Sequence, residues 1–474
     1  MKYFNKIIPT ILVSLFLVSC DDDFLLKAPP DALPEDGYYS SSDRAIAAIN
    51  AAYATFQNGS LNSYWMHKAM AGPSDDITIS QTAGTEFNNF AYTASDPLLW
   101  EVYPKLYEGV YRSNKVLETV PEIEIDAALK ERIVGEAKFL RALYYWYLTT
   151  FWGEVPLYTQ TFERPDDALI AKSPISEIYE VIIQDLEDAV QSLPVSYSES
   201  DEGRATRGAA QALLGKVHLY DENYVEAEDW LGRVIDSDVY ELVPDFETII
   251  HHEYPNNAES IFELQFENSP PGGIGNSRVN QNIPRIVGGD GMQQPTQSIV
   301  DAFENGDPRQ SYSIFLPGEE FAPQFGSEFE TWNPEWSLTG YSMKKGLWPV
   351  RNQDNSDTNI LLIRYADVLL MYAEAANELN MIDEARDALN QVRQRPSVDM
   401  PPRTEAETGN QQDMFEAIVH ERRVELAFEF HRFFDLKRWG LAEEVLGDVG
   451  YTDESHRYFP LPQNEIDTNP QLEP

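Results

Sequence analysis

TRGAAQALLGKVHLYDENYVEAEDWLGRVIDS, Thr206 to Ser237, reads as two amphipathic helices joined by a short turn near Asp221 to Asn223. Leu214, Gly215, Ala227 and Leu231 fall at the spacing of a tetratricopeptide-type hairpin, where small residues let two antiparallel helices approach closely. Leu369 to Arg393 repeats the pattern: Ala373, Ala385 and Leu389 keep the offsets of Gly215, Ala227 and Leu231. Each match is degenerate. Together with the helices before them, they predict a mostly α fold in which helix pairs pack side by side as a tetratricopeptide-like superhelix.

Outward from this stretch the helical pattern continues in both directions. Ser42 to Gln57 carries Ala45, Ile46, Ile49, Ala52, Tyr53 and Phe56 at helical spacing. Helices resume near Leu98 and run, with breaks, to Trp152; Ile175 to Leu193 is another, stopped by Pro194. Two segments break the pattern. Asn58 to Pro97 dissolves into Gly, Ser, Thr, Asn and Asp with interspersed aromatics, and Asn268 to Asn359 is dense in Gly, Pro, Asn, Gln and aromatics, including Trp332, Trp336, Tyr341 and Trp348. Long irregular segments whose aromatics argue for order are expected to be functional. Glu259 to Glu267 alternates and is expected to add a strand. The organisation is therefore read as a helical half at 42–240 with a binding loop at 58–97, a loop-rich region with minor β at 241–360, and a second helical half at 361–474.

The first residues read as a targeting signal. Lys2 and Lys6 precede an apolar run, Ile7 to Val18, too short to span a bilayer. It ends in Leu17-Val18-Ser19-Cys20, which resembles a lipobox, and Cys20 is the only cysteine in the chain. Residues 1–19 are thus expected to be a lipoprotein signal peptide, leaving 455 residues (474 minus 19), with 20–41 as a lipidated tether. The net charge of −44, from 35 basic and 79 acidic residues, argues against nucleic acid and against adsorption to anionic lipid. Membrane attachment is expected through the lipid alone.

Several blocks resemble the SusD/RagB family. EAKFLRALYYWYLTTFWGEVPL (Glu136 to Leu157) is similar to its signature helix and following turn. GRATRGAAQALLGKVHLY (Gly203 to Tyr220), LIRYADVLLMYAEAANEL (Leu362 to Leu379) with ALNQVRQR (Ala388 to Arg395), AIVHERRVELAFEFHRFFDLKRWG (Ala417 to Gly440) and YFPLPQNEIDTNPQL (Tyr458 to Leu472) follow in family order across nearly the whole mature chain. Asp21-Asp22-Asp23 after Cys20 resembles the acidic tract of surface-exported Bacteroidetes lipoproteins. The resemblance implies a cell-surface, outer-membrane lipoprotein that binds glycans on loops projecting from a helical scaffold. It also implies a SusC-like TonB-dependent transporter as partner, over which the protein works as a hinged lid. A RagB-like peptide binder of the same fold is the alternative, and a secreted glycoside hydrolase is a weaker one.

A sugar's C–H face packs on aromatic rings while its hydroxyls seek Asn, Asp or Arg. On that logic the ligand candidates are Tyr64, Trp65, Asp75, Asp76, Phe87, Asn88 and Phe90 in the first loop region. In the second they are Arg278, Asn280, Trp332, Trp336 and Tyr341. Trp100, Tyr103, Tyr107, Tyr144, Tyr145 and Trp146 lie on helices and are expected in the core. Glu421, Glu425 and Glu429 share one helix face, and Arg422, Arg423, Arg432 and Arg438 are available to neutralise them, an array expected to be structural. Arg141 and Arg364 are expected to hold helices together. No catalytic residues are expected: His251-His252-Glu253 lacks zinc-helix spacing, no Gly-x-Ser-x-Gly elbow occurs, and the lone cysteine is assigned to the lipid. No cofactor or metal is expected; a structural calcium is conceivable, but no twelve-residue calcium loop is present.

Overall fold

The computed structural model describes residues 40–62, 65–80, 84–162, 164–267, 275–321, 330–347 and 355–472. Cys20, Tyr64 and Trp348 lie outside the described residues, as does the side chain of Trp65.

Ten helices build the scaffold: α1 (Ser42–Phe56), α2 (Pro97–Thr119), α3 (Ala127–Trp152), α4 (Ile175–Ser192), α5 (Arg207–Tyr220), α6 (Tyr224–Ile235), α7 (Tyr365–Glu378), α8 (Ile382–Arg393), α9 (Gln411–Glu425) and α10 (Arg432–Arg438). Their ends follow from side-chain chemistry. Asp96 and Asp126 accept the Leu98 and Leu129 amides at the starts of α2 and α3, and Thr206 accepts that of Ala209 at the start of α5. Each helix packs on its neighbour, in the chain of contacts α1–α2–α3–α4–α5–α6–α7–α8, and α9 closes against α7 and α8. That is the superhelix of pairs expected from the two hairpins, which stack directly on each other through α6 and α7.

The hairpins match in detail. A Cβ on Gly215 would lie 2.5 Å from Leu231 Cγ, so only glycine allows α5 to sit this close to α6. Both turns place a residue in the left-handed region seven positions after the small residue, Glu222 (φ 58°) after Gly215 and Asn380 (φ 61°) after Ala373. Both then close alike: Asn223 N donates to His218 O and Met381 N to Ala376 O, each at 2.8 Å. These bonds satisfy carbonyls that a helix end would otherwise leave orphaned.

In α3 the residues from Phe139 to Trp152 are all withdrawn from solvent. Its Arg141 pairs with Asp185 of α4 through two 2.7 Å bonds and reaches Asn114 of α2 at 2.9 Å, so it does join three helices. Trp100 departs from the core expectation: it is 43% exposed, because Leu98, Leu99, Val102 and Tyr103 occupy the inner face of α2.

Strands occur as short antiparallel pairs: β1 (Ile77–Ile79) with β3 (Gln293–Pro295), β2 (Ser260–Leu264) with β8 (Ile360–Arg364), β4 (Ile314–Phe315) with β7 (Ser342–Met343), and β5 (Glu320–Phe321) with β6 (Glu330–Thr331). β2 is the strand expected within Glu259 to Glu267, but Ile261, Phe262, Glu263 and Leu264 are all buried. It is covered on both faces, and its sequence alternation does not mark a wet side. The segment after Asn58, expected to be irregular, contains the short helix Trp65–Ala71 and β1.

Candidate ligand-binding site

The two irregular regions, more than two hundred residues apart, form one face. β1 pairs with β3 in the register Ile77 to Pro295, Thr78 to Gln294 and Ile79 to Gln293. Ser80 N donates to Met292 O at 2.7 Å, and Thr296 N and Oγ1 donate to the Asp76 and Asp75 carbonyls at 2.9 and 2.5 Å. The loops are therefore joined by backbone bonds that hold their side chains in register.

Most candidates in the first region serve to build this junction. Asp75 is gripped by Arg423 of α9 and Arg432 of α10 at 2.7 and 2.8 Å, and Arg423 Nε also donates to Asp76 at 2.9 Å. Burial raises the Asp75 pKa, but the hydrogen bonds and charge of Arg432, with Arg423 behind, outweigh it and hold the carboxyl below its ordinary value. For Asp76 burial wins, and its carboxyl is pushed up. The pair is an anchor for the loop on the scaffold, correcting its assignment to ligand; its oxygens face arginines. Asn88 is a clamp: its Oδ1 accepts Ile79 N at 2.9 Å and its Nδ2 donates to Ile79 O at 2.8 Å. Phe87 and Phe90 are core residues, Phe87 stacked on Tyr92 at 4.7 Å and Phe90 edge-on to Tyr451 at 5.2 Å. Their loop setting misled because the loop folds back over the C-terminal segment.

The second region divides. Arg278 is buried beneath the loops, donates to Phe428 O at 2.9 Å and lies over the Phe430 ring. Burial lowers its pKa to about 10 against the opposing charge of Glu429. Trp332 is buried too: it stacks on Phe315 at 5.9 Å, meets Trp336 edge-on at 5.4 Å and donates Nε1–H to Gly340 O at 2.9 Å. Both are corrected to structural roles, since a ring that fills a closed cluster has no face left for a ligand.

What remains accessible is compact. Trp336 and Tyr341 are half-buried, and Asn280 is as well, its carbonyl accepting Asp290 N at 2.8 Å. Tyr341 Oη donates to Gln297 Oε1 at 2.7 Å, and Leu338 N donates to Gln294 Oε1 at 2.7 Å. Leu338 and Tyr341 are thus tied to the end of β3, through the buried amide of Gln294 and the exposed amide of Gln297, and Trp336 lies two residues before Leu338. Leu338, 78% exposed, was missed in the sequence. A lone leucine in the turn-rich run Pro334-Glu335-Trp336-Ser337-Leu338-Thr339-Gly340 is the signal that was available. The face offers apolar rings and neutral hydrogen-bonding groups.

The Glu/Arg array lies below this face and its pairing differs from expectation. Glu421 takes Arg309 and Arg393, Glu425 takes Arg309, Arg364 and Arg395, and Glu429 takes Arg364 and Lys345. Arg422 instead pairs with Asp367 and Asp435, and Arg438 with Glu374 and Asp435. The physical reason is direction: residues adjacent on a helix point to different sides, so Arg422 and Arg423 cannot fold back onto Glu421 or Glu425. Among the described residues the one cluster with metal-ligand spacing is Glu304, His420 and Glu421, and its carboxylates already hold Arg393, Arg403 and Arg309.

The architecture is that of a helical-pair scaffold carrying a loop-built face. Residues 258–457 match the SusD family, and residues 23–219 match the family described as starch-binding associating with outer membrane. The chain belongs to the SusD/RagB family. It is similar to a SusD-like protein of Formosa agariphila, 28% identical over 98% of this chain and 97% of the relative. A SusD-like protein structure from Bacteroides fragilis superposes with a TM-score of 0.82 at 27% identity, covering 94% of this chain and 99% of that one. A laminarin-binding SusD-like protein superposes at 0.76 and 27% identity, covering 92% and 99%.

Proposed function

We propose that this protein is a surface-exposed, lipid-anchored outer-membrane protein that captures a glycan on the loop face and hands it to a SusC-like TonB-dependent transporter. The observation that carries the reading is that the accessible Trp336, Leu338 and Tyr341 lie on one short segment, tied by Leu338 and Tyr341 to Gln294 and Gln297 on backbone fixed by the β1–β3 pairing. Half-exposed rings bind the C–H faces of sugars, and the exposed Gln297 amide, preplaced by Tyr341, takes a hydroxyl without a large ordering cost. The similar laminarin-binding protein supports a glycan as the ligand class. Cys20 would carry the lipid, with Asp21 to Asp23 beginning the tether.

Calorimetry of the full chain against laminarin, other polysaccharides and peptides tests this. Binding to one glycan class, with no product released and weakening on Trp336→Ala, is the expected result. Binding to peptides alone overturns it in favour of a RagB-like peptide carrier. Cys20→Ala is expected to move the protein from the membrane to the soluble fraction; retention at the membrane contradicts the anchor.

A further inference from the structure

A second concave site lies on the scaffold and shares no residue with the loop face. It is a groove of about 530 Å³ bounded by α2, the segment 156–169 and the C-terminal residues 465–472. Its wall is a row of rings: Tyr107 meets Tyr158 at 5.5 Å, Tyr158 meets Phe162 at 5.7 Å, and Phe162 meets Tyr111 at 6.4 Å. Tyr111 and Phe162 are 43% and 39% exposed, a contiguous apolar patch on a chain of net charge −44. Adjacent rings on a concave wall offer their apolar faces to a ligand.

The wall is built to stay in place. Asn114 Nδ2 donates to Tyr158 O at 2.9 Å, and the buried Arg141 holds Asn114 and the Thr159 carbonyl. Thr161 donates through both N and Oγ1 to Glu118, fixing the residue next to Phe162. Asn469 Nδ2 donates to Ile170 O at 2.8 Å, tying the C-terminal wall to the segment opposite. Inside, the half-buried Glu465 carboxylate accepts no hydrogen bond from any described residue, and burial pushes its pKa up. Such an acceptor gains most from hydroxyl donors.

We propose that this groove is a second carbohydrate subsite, taking a neutral, hydroxyl-rich glycan chain across Tyr111 and Phe162 with Glu465 accepting its hydroxyls. The acidic surface and Glu465 itself disfavour uronic or sulfated chains. The ligand class is shared with the loop-face reading; the location is independent of it. A second contact on one chain raises avidity for a long polymer without any tighter single contact.

The test is a saturation-transfer NMR titration of the full chain with laminarihexaose, maltohexaose, cellohexaose and, as the anionic control, an alginate hexamer. It is run on the natural sequence and on the Trp336→Ala variant. The expected result is residual binding of a neutral hexasaccharide in Trp336→Ala, weakened about tenfold by adding Phe162→Ala or Tyr111→Ala and also reduced by Glu465→Gln. Both ring positions are exposed, so unchanged melting temperatures are the accompanying control. Glycan binding abolished by Trp336→Ala and untouched by Phe162→Ala overturns the groove while leaving the loop face standing. Preference for alginate, or no binding of any hexasaccharide, overturns it as well.

Discussion

Arg364 and Glu429 meet as two parallel hydrogen bonds, Nε to Oε2 at 2.7 Å and Nη2 to Oε1 at 2.8 Å, with both side chains shut away from water. Arg364 ends β8 and Glu429 follows α9, so the pair ties the loop-bearing strand to the scaffold. Arg364 also reaches Glu259 at 2.7 Å and Glu425 at 2.8 Å. Removing one member of a buried pair strands the other charge. Arg364→Ala is expected to lower unfolding stability by about 3–5 kcal/mol in urea titration. A loss below about 1 kcal/mol would mean that water reaches the cluster.

The same pair sets an acid dependence. Burial raises the Glu429 pKa, but Arg364 and Lys345 overcome it and lower the carboxyl to about 2, below the unfolded value of about 4.3. With the folded pKa the lower one, this stabilisation is complete above about pH 4.3 and is lost as pH falls towards 2. Urea titrations across pH 2 to 6 should show stability rising with pH in that window, with a shallower slope in Glu429→Gln. An unchanged slope would assign the acid sensitivity to other carboxylates.

Gly215→Ala sets two effects against each other. Alanine favours the helix by about 1 kcal/mol, whereas overpacking a close contact costs about 1–3 kcal/mol. With Leu231 Cγ 2.5 Å from the new methyl, the clash is expected to win, giving a lower melting temperature. Combined with Leu231→Ala, itself costing about 2–5 kcal/mol, the two losses should be less than additive because the truncation makes room for the methyl. A more stable Gly215→Ala would show that α5 and α6 can separate freely.

The hairpin turns yield an asymmetric pair of variants. Glu222 and Asn380 both adopt positive φ, but asparagine tolerates that region and glutamate does not. Glu222→Gly should stabilise by about 0.5–1 kcal/mol, the strain relieved exceeding the added unfolded-chain entropy. Asn380→Gly should change little. Equal effects measured calorimetrically would remove backbone strain as the cause.

Two neighbouring tryptophans separate fold from recognition. Trp332→Ala empties a closed cluster and is expected to cost about 3–5 kcal/mol of stability. Trp336→Ala, half-exposed beside it, should leave stability within about 1 kcal/mol and weaken glycan binding by removing the loop-face contact. Both outcomes are read from one melting curve and one titration per variant.

The helical scaffold was legible along the chain because helix pairing is a local matter. Gly215, Ala227 and Leu231 meet within one hairpin, and Ala373, Ala385 and Leu389 repeat the solution. Periodicity, capping aspartates and small residues suffice to describe a contact between neighbours in sequence. The aromatics had no such rule. Helical spacing places Trp100 in the core, yet it is exposed, whereas the loop setting of Phe87, Phe90 and Trp332 suggests ligand contact, yet they are buried. Their exposure depends on which distant segment arrives above them. The same holds for charge: the helical spacing of Glu421, Glu425 and Glu429 announced a shared face, but their partners come from Arg309, Lys345, Arg364, Arg393 and Arg395. A carboxylate buried without water must take whatever cation the fold delivers. Local pattern determined the helices and their pairing; tertiary closure decided which loop residues face solvent, because burial is a property of two surfaces and a sequence displays them one at a time.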